Sequence, residues 1–211
     1  MADPVDGALL GMSANSIAIE SSTVTPAWIA TLSQLTSKRN INLLDAPVSG
    51  SLPQAEARQL IAMVGGDPDA FEAAQPILAA SGMAQHVGPV GNGAIFKLAV
   101  NALLGIQIAG WAEILGFLQK NGVDTTQALS LLTTFPISSP AGTGMAKLMV
   151  AHDFTPRFTN ALLAKDFRYL QQTAEQAGSR TPLSNAASSV FESASEEMGG
   201  ENVTSVIRFY E

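Results

Sequence analysis

Lys97 and Asn101 stand four apart in the run Gly91-Asn-Gly-Ala-Ile-Phe-Lys97-Leu-Ala-Val-Asn101. On a helix that spacing puts an amine and an amide on one face, a turn apart. Between Gly93 and Gln119 the ionisable side chains are Lys97 and Glu113 alone. A lysine in so apolar a setting has three options: it snorkels to water, it pairs, or it sits in a functional cleft with a shifted pKa. In the third case desolvation brings the amine towards neutrality, where it can act as a general acid and base. A second stretch of interest is Asp45-Ala-Pro-Val-Ser49-Gly50-Ser51-Leu-Pro53, a loop rich in backbone punctuation. Taken alone, Ser49-Gly50 reads as a turn and Lys165-Asp166 as a solvated face. The chain has no cysteine, which excludes disulfides, thiolate catalysis and cysteine-ligated metals. His86 and His152 lack a neighbour at metal-ligand spacing, so no metal site is expected.

The element that carries Lys97 and Asn101 has apolar residues on every face, among them Phe96, Leu98, Leu103, Ile108 and Phe117, which predicts a helix enclosed by other protein. About 26 residues at about 1.5 Å each make it about 40 Å long. Ahead of it, strands and helices alternate. Short strands are expected near 14–22, 41–46 and 59–65, with a brief extended piece at 85–88. Thr25-Pro26 starts one helix, to about Ser37, and Asp67-Pro68 another, to about Ala80. Beyond Asn121-Gly122 only helices are expected: Asp124 through Leu132, Ser139 or Pro140 to Val150, Phe158–Ala177, Pro182 to about Met198, and a short one over 203–210. The fold class is therefore mixed α/β followed by all-α. Residues 1–90 form part of an α/β domain, and residues 91–211 form an all-helical domain that begins with the long helix.

Composition bounds the rest. In 211 residues, 46% are hydrophobic and 14% charged, as in a well-buried globular protein. A net charge of −7 makes nucleic acid an unsuitable partner. The first residues carry acids and no basic segment, unlike a secretory signal. Ala8–Met12 is too short to span a bilayer, and Gln107 and Glu113 interrupt the long helix. A cytoplasmic protein with no membrane partner is expected. So is a homodimer or higher homo-oligomer, because one small bundle cannot cover so long and apolar a helix.

These stretches together resemble the β-hydroxyacid dehydrogenases, the family of 3-hydroxyisobutyrate and tartronate semialdehyde reductases. Ser22-Thr23 with Pro26 is similar to that family's segment beside the nicotinamide. Asp45-Ala-Pro-Val-Ser49-Gly50 is similar to its substrate loop, and Met63-Val-Gly65-Gly66 to the strand that follows. Gly91-x-Gly93-x-x-x-Lys97-x-x-x-Asn101 resembles its catalytic segment, and Lys165-Asp166 a pair on a later helix. The likeness runs from about Ala14 to the C-terminus, and implies a Rossmann-type sheet joined by the long helix to a helical bundle. It also implies hydride transfer between NAD or NADP and a small 3-hydroxy acid or its semialdehyde. By the resemblance Lys97 is the general acid/base and Asn101, one turn on, holds both the lysine and the reacting oxygen. Ser49 with the backbone around Gly50 and Ser51 binds the substrate carboxylate, as turn-forming nests do, and Ser139 lies on the substrate side. Thr23, Lys165 and Asp166 contact the cofactor.

Three departures qualify this. Ser51 replaces the family's second glycine, and Arg58, an extra carboxylate anchor or, as the reading favoured here, a surface charge, stands where relatives have a glycine. No G-x-G-x-x-G turn occurs anywhere in the chain. By the family pattern, on the order of 70 residues of βαβ steps would precede Met1. A competing expectation is accordingly a catalytically silent helical module that keeps the bundle for dimerisation.

Overall fold

The computed structural model describes residues 7–211; the acidic first six, on which the argument against a secretory signal rests, lie outside them. The chain divides into two compact units, Met1–Val100 and Asn101–Glu211. In the first, β1 is Ile17–Glu20, α1 Pro26–Ser37, β2 Asn42–Asp45, β3 Val48–Ser49, α2 Leu52–Glu56, β4 Leu60–Gly65, α3 Pro68–Leu78 and β5 Gly82–Gly88. Thr25 caps α1, its Oγ1 accepting from Trp28 N at 3.2 Å, and Asp67 caps α3 by accepting from Asp69 N and Ala70 N at 3.0 Å each.

The five strands form one mixed sheet. β1 pairs parallel with β2, and β4 parallel with β5, but β2 and β3 both run antiparallel to β4. Asp45 lies opposite Gly65, Val48 opposite Ala62 and Ser49 opposite Ile61, a single unbroken register. So β2 and β3 are one strand interrupted at Ala46-Pro47, with Met63 N donating to Pro47 O at 3.0 Å across the gap. The alternation of elements read from sequence does not foresee this reversal. The link from β3 to β4 is too short for a parallel crossover and holds only the five-residue α2. That helix ends in a Schellman-like turn, Gln59 N to Gln54 O at 2.7 Å, with Arg58 in the left-handed region at φ 56°. Both faces of the sheet are covered. Leu43 packs with Ile29 and Leu32 of α1, while its neighbour Leu44 packs with Ala70, Ala74 and Leu78 of α3, as strand alternation requires.

The second unit contains the rest of α4 (Asn92–Lys120) with α5 Thr125–Leu132, α6 Pro140–Val150, α7 Asn160–Gln176 and α8 Pro182–Met198, closed by a 3-10 segment, Val203–Phe209. Its core is built on Ile108, Leu115, Met149, Leu163, Phe167 and Phe191, the two phenylalanines stacked with centroids 5.8 Å apart. Glycine sets the closest approach to α4. A Cβ at Gly105 would lie 2.6 Å from two ring atoms of Phe167, and one at Gly116 would strike Tyr210. By length and composition α4 could cross a membrane, yet Ile108, Ala112 and Leu115 lie in this protein core. The sequence predicts α4 enclosed by other protein, a second copy included, and within one chain part of it stays open. Leu103 and Phe117 are each 61% exposed, because the remaining helices reach only part of its circumference.

Candidate active site

The start of α4 is fixed by a residue far away in sequence. Asp45, at the end of β2, is fully buried, and both of its carboxylate oxygens accept from α4: Oδ1 from Gly91 N and Oδ2 from Ala94 N, each at 2.8 Å. Burial pushes its carboxyl above the ordinary 3.8, while the hydrogen bonds from Gly91, Ala94 and Gly93 pull it back. Two glycines clear the space. A Cβ at Gly65 would lie 2.5 Å from Asp45 Oδ1, and one at Gly93 would sit 2.5 Å from Met63 O and collide with Asp45 O. The Gly91-x-Gly93 pair is thus a packing and capping device. Sequence reading assigned Asp45 no role, since a contact spanning 46 residues leaves no periodic signal.

Lys97 follows Ala94 by three residues and is half-buried. In the same unit β3 leads into the Ser49–Ser51 loop. Ser49 is half-buried, and Gly50 takes φ +121°, where a Cβ would meet Leu60 Cδ2 at 2.7 Å. The Ser51 N–H donates to Gln54 Oε1 at 3.0 Å, so that donor of the expected carboxylate nest is already engaged within α2. Thr23 lies half-buried in the loop after β1.

In the second unit Asn101, Lys165 and Asp166 come together. Asn101 is 4% exposed and Asp166 3% exposed, and Asn101 Nδ2 donates to Asp166 Oδ2 at 2.6 Å. Lys165 Nζ lies 2.9 Å from Asp166 Oδ1 and 4.9 Å from the centroid of the Tyr169 ring. The sequence pairs Asn101 with Lys97 and groups Lys165-Asp166 apart from it; the fold puts Asp166 against the Asn101 amide. Ser139 caps α6, accepting from Gly142 N at 3.0 Å and bonding through its hydroxyl to Gln107 Oε1. These two residues edge a cleft of about 250 Å³ that is otherwise lined mainly by Trp111, Ile114, Leu132 and Ile137. Gln107 has no place in the family-like motifs and was not foreseen as a site residue.

A dinucleotide's pyrophosphate needs unfilled N–H groups at a helix N-terminus. In the first unit α1 is capped by Thr25, α3 by Asp67 and α4 by Asp45. Each cap takes one or more of the N–H groups at its helix start, and the lysine, asparagine and serine loop suit a small hydroxy acid.

Residues 91–210 match the family described as the NAD-binding domain of NADP-dependent 3-hydroxyisobutyrate dehydrogenase. Residues 1–91 match the NAD binding domain of 6-phosphogluconate dehydrogenase. An NAD-dependent L-serine dehydrogenase of Pseudomonas aeruginosa is 30% identical over 194 residues, an overlap covering 88% of this chain and 65% of that protein. A chloroplastic glyoxylate/succinic semialdehyde reductase of Arabidopsis thaliana is 31% identical over 204 residues, covering 96% of this chain and 57% of the relative. The chain thus spans 57% to 65% of the length of these two proteins. Among solved structures, the Mycobacterium tuberculosis 3-hydroxyisobutyrate dehydrogenase with L-serine superposes with a TM-score of 0.88 at 25% identity, covering 95% of this chain and 72% of that one. The α/β part followed by a long helical part is the arrangement of that enzyme class, and the chain belongs to the 3-hydroxyisobutyrate dehydrogenase family of β-hydroxyacid dehydrogenases.

Proposed function

We propose that this chain carries the substrate-handling half of an NAD- or NADP-dependent dehydrogenase acting on a small 3-hydroxy acid or its semialdehyde. The nicotinamide, when bound, takes or supplies the hydride at the carbinol carbon. In the oxidation direction the hydroxyl proton passes to the amine of Lys97 as the carbonyl forms, and it returns in reduction. The carrying observation is the anchoring of the lysine's helix, through Asp45, to the strand that runs into the Ser49 loop. In this reading Ser49 and the backbone around Gly50 and Ser51 hold the carboxylate, the loop being fixed by the Ser51–Gln54 capping box. Asn101, its amide nitrogen held by Asp166, orients the reacting oxygen, and Ser139 serves the substrate side from the rim of its cleft. Thr23, Lys165 and Asp166 are assigned to the cofactor. The small-carboxylate class is supported by the relatives' names, which specify L-serine, glyoxylate and succinic semialdehyde. A cytoplasmic location accords with a chain that has no cysteine.

The competing reading, a silent helical module without cofactor affinity, gains no support from the matches to NAD-binding families. Titration of the chain with NADH and NADPH by fluorescence separates the two. Saturable binding, with turnover of L-serine or 3-hydroxyisobutyrate that is lost in Lys97→Ala, supports the enzyme. No binding at millimolar cofactor supports the module. Under either reading the exposed face of α4, from Phe96 through Leu103 to Phe117, is the surface for a second copy of the chain. Light scattering that finds only monomer at micromolar concentration would count against that assembly.

A further inference from the structure

Among the helices of eight or more residues with an assigned side-chain cap, α4 is capped differently from the rest. Thr25, Asp67, Asp124, Ser139 and Thr159 each cap the helix that follows them directly. A local cap holds a helix start together wherever the helix lies. The cap of α4 comes from one residue, Asp45, which lies 46 and 49 positions before the two amides it accepts from, at the end of the strand that leads into the Ser49 loop. We infer that Asp45 is a positioning residue which locks the height and rotation of the first turn of α4, and with it Lys97, against that loop. The inference rests on the dehydrogenase reading and adds to it a residue that the reaction needs but that touches no reactant.

Two features make the clamp specific. Both carboxylate oxygens are used, on amides three residues apart, so rotation about a single hydrogen bond is prevented. Gly65 and Gly93 are both small enough to let the carboxylate in, and any side chain at either would displace it. Lys97 lies one further turn along, so an error in the first turn passes directly to its amine. Asp45→Asn keeps the volume but turns one acceptor into a donor facing a backbone N–H, which undoes one of the two contacts.

The test compares the wild-type chain with Asp45→Asn and with Asp67→Ala, which removes an ordinary cap from α3. With L-serine and NAD or NADP, Asp45→Asn should lower kcat about 100-fold through misplacement of the amine. KM for the hydroxy acid should stay within about threefold, because the loop that binds the carboxylate is intact. Asp67→Ala should lose stability but keep kcat. Equal effects of the two variants on kcat would overturn the inference.

A second readout needs no turnover. The lysines are reductively methylated with labelled formaldehyde, Lys97 is assigned from a Lys97→Arg variant, and its methyl signal is titrated. Asp45→Asn should displace the Lys97 midpoint by about half a unit or more, and Asp67→Ala should leave it in place. An unmoved midpoint overturns the clamp, while a displaced midpoint in a chain that turns nothing over keeps the clamp and sinks the dehydrogenase reading. Should Asp45→Asn fail to fold, amide exchange in the wild type decides. Gly91 and Ala94 must then exchange more slowly than Asp69, whose N–H the local Asp67 cap holds at the start of α3, and equal rates overturn the inference.

Discussion

Removing Asp166 should cost more than the bond it makes, because of what it leaves behind. Asn101 and Asp166 are 4% and 3% exposed, and they meet at 2.6 Å through a charge-assisted hydrogen bond. Asp166→Ala removes the charged acceptor of the buried Asn101 amide, while Lys165, whose side chain is 27% exposed, can turn to water. Breaking such a buried contact from one side costs about 3 kcal/mol. Asn101→Ala leaves a buried carboxylate still paired with Lys165, a smaller loss of about 2 kcal/mol. The double variant leaves neither group unsatisfied, so its cost should be about 3 kcal/mol, well short of the sum. The resulting coupling of about 2 kcal/mol is the quantity to measure. Urea unfolding followed by tryptophan fluorescence is suitable. The chain has two tryptophans, and a Trp28→Phe background leaves Trp111, in the same unit as the pair, as reporter. Additivity within about 0.5 kcal/mol would refute the claim that these two side chains depend on each other.

Gly105→Ala should destabilise by about 1–2 kcal/mol, because a Cβ 2.6 Å from the Phe167 ring overpacks the core by more than the gain in helix propensity. A raised urea midpoint would contradict that. Arg58→Gly should stabilise by about 1 kcal/mol, since Arg58 holds φ 56° at the end of α2, where a side chain is strained. An unchanged or lowered midpoint would show that the arginine has compensating contacts. Burial raises the Asp45 carboxyl above 3.8, so the folded chain binds that proton more tightly than the unfolded one does. The associated stability is fully present below 3.8 and lost as pH rises through the folded value. Wild type should therefore lose stability relative to Asp45→Asn as pH rises through that window, and a pH-independent gap between their urea midpoints would refute it.

Local signals carried most of the fold. The Thr25-Pro26, Asp67-Pro68, Asp124 and Ser139-Pro140 helix starts are each written in a hydrogen bond of a few residues' span, and each lies where the sequence puts it. α8 also begins at Pro182, where the sequence puts it, although Thr181 makes no capping bond there. The direction of β4 was beyond such signals. A strand's apolar pattern is the same whichever way it runs, and the deciding fact is the shortness of the link through α2. The position of Arg58 was visible as a departure from glycine. Its meaning, a left-handed turn that glycine would occupy without strain, is visible only in the backbone.

Motif spacing picks out candidate residues for the site but not their dependences on one another. Lys97 and Asn101 are readable together because four residues on one helix make one face. Asp45 and Asp166 are not readable in that way. Each acts across 46 to 65 residues of chain, and neither distance has a period. Yet each carboxylate fixes a piece of α4 within its own unit: Asp45 the first turn in the first unit, Asp166 the Asn101 amide in the second. A substitution that spared every group in contact with substrate, but neutralised one of these acids, would leave the visible motif intact while its geometry slackened. That is why both tests above change an acid and read the consequence at another side chain.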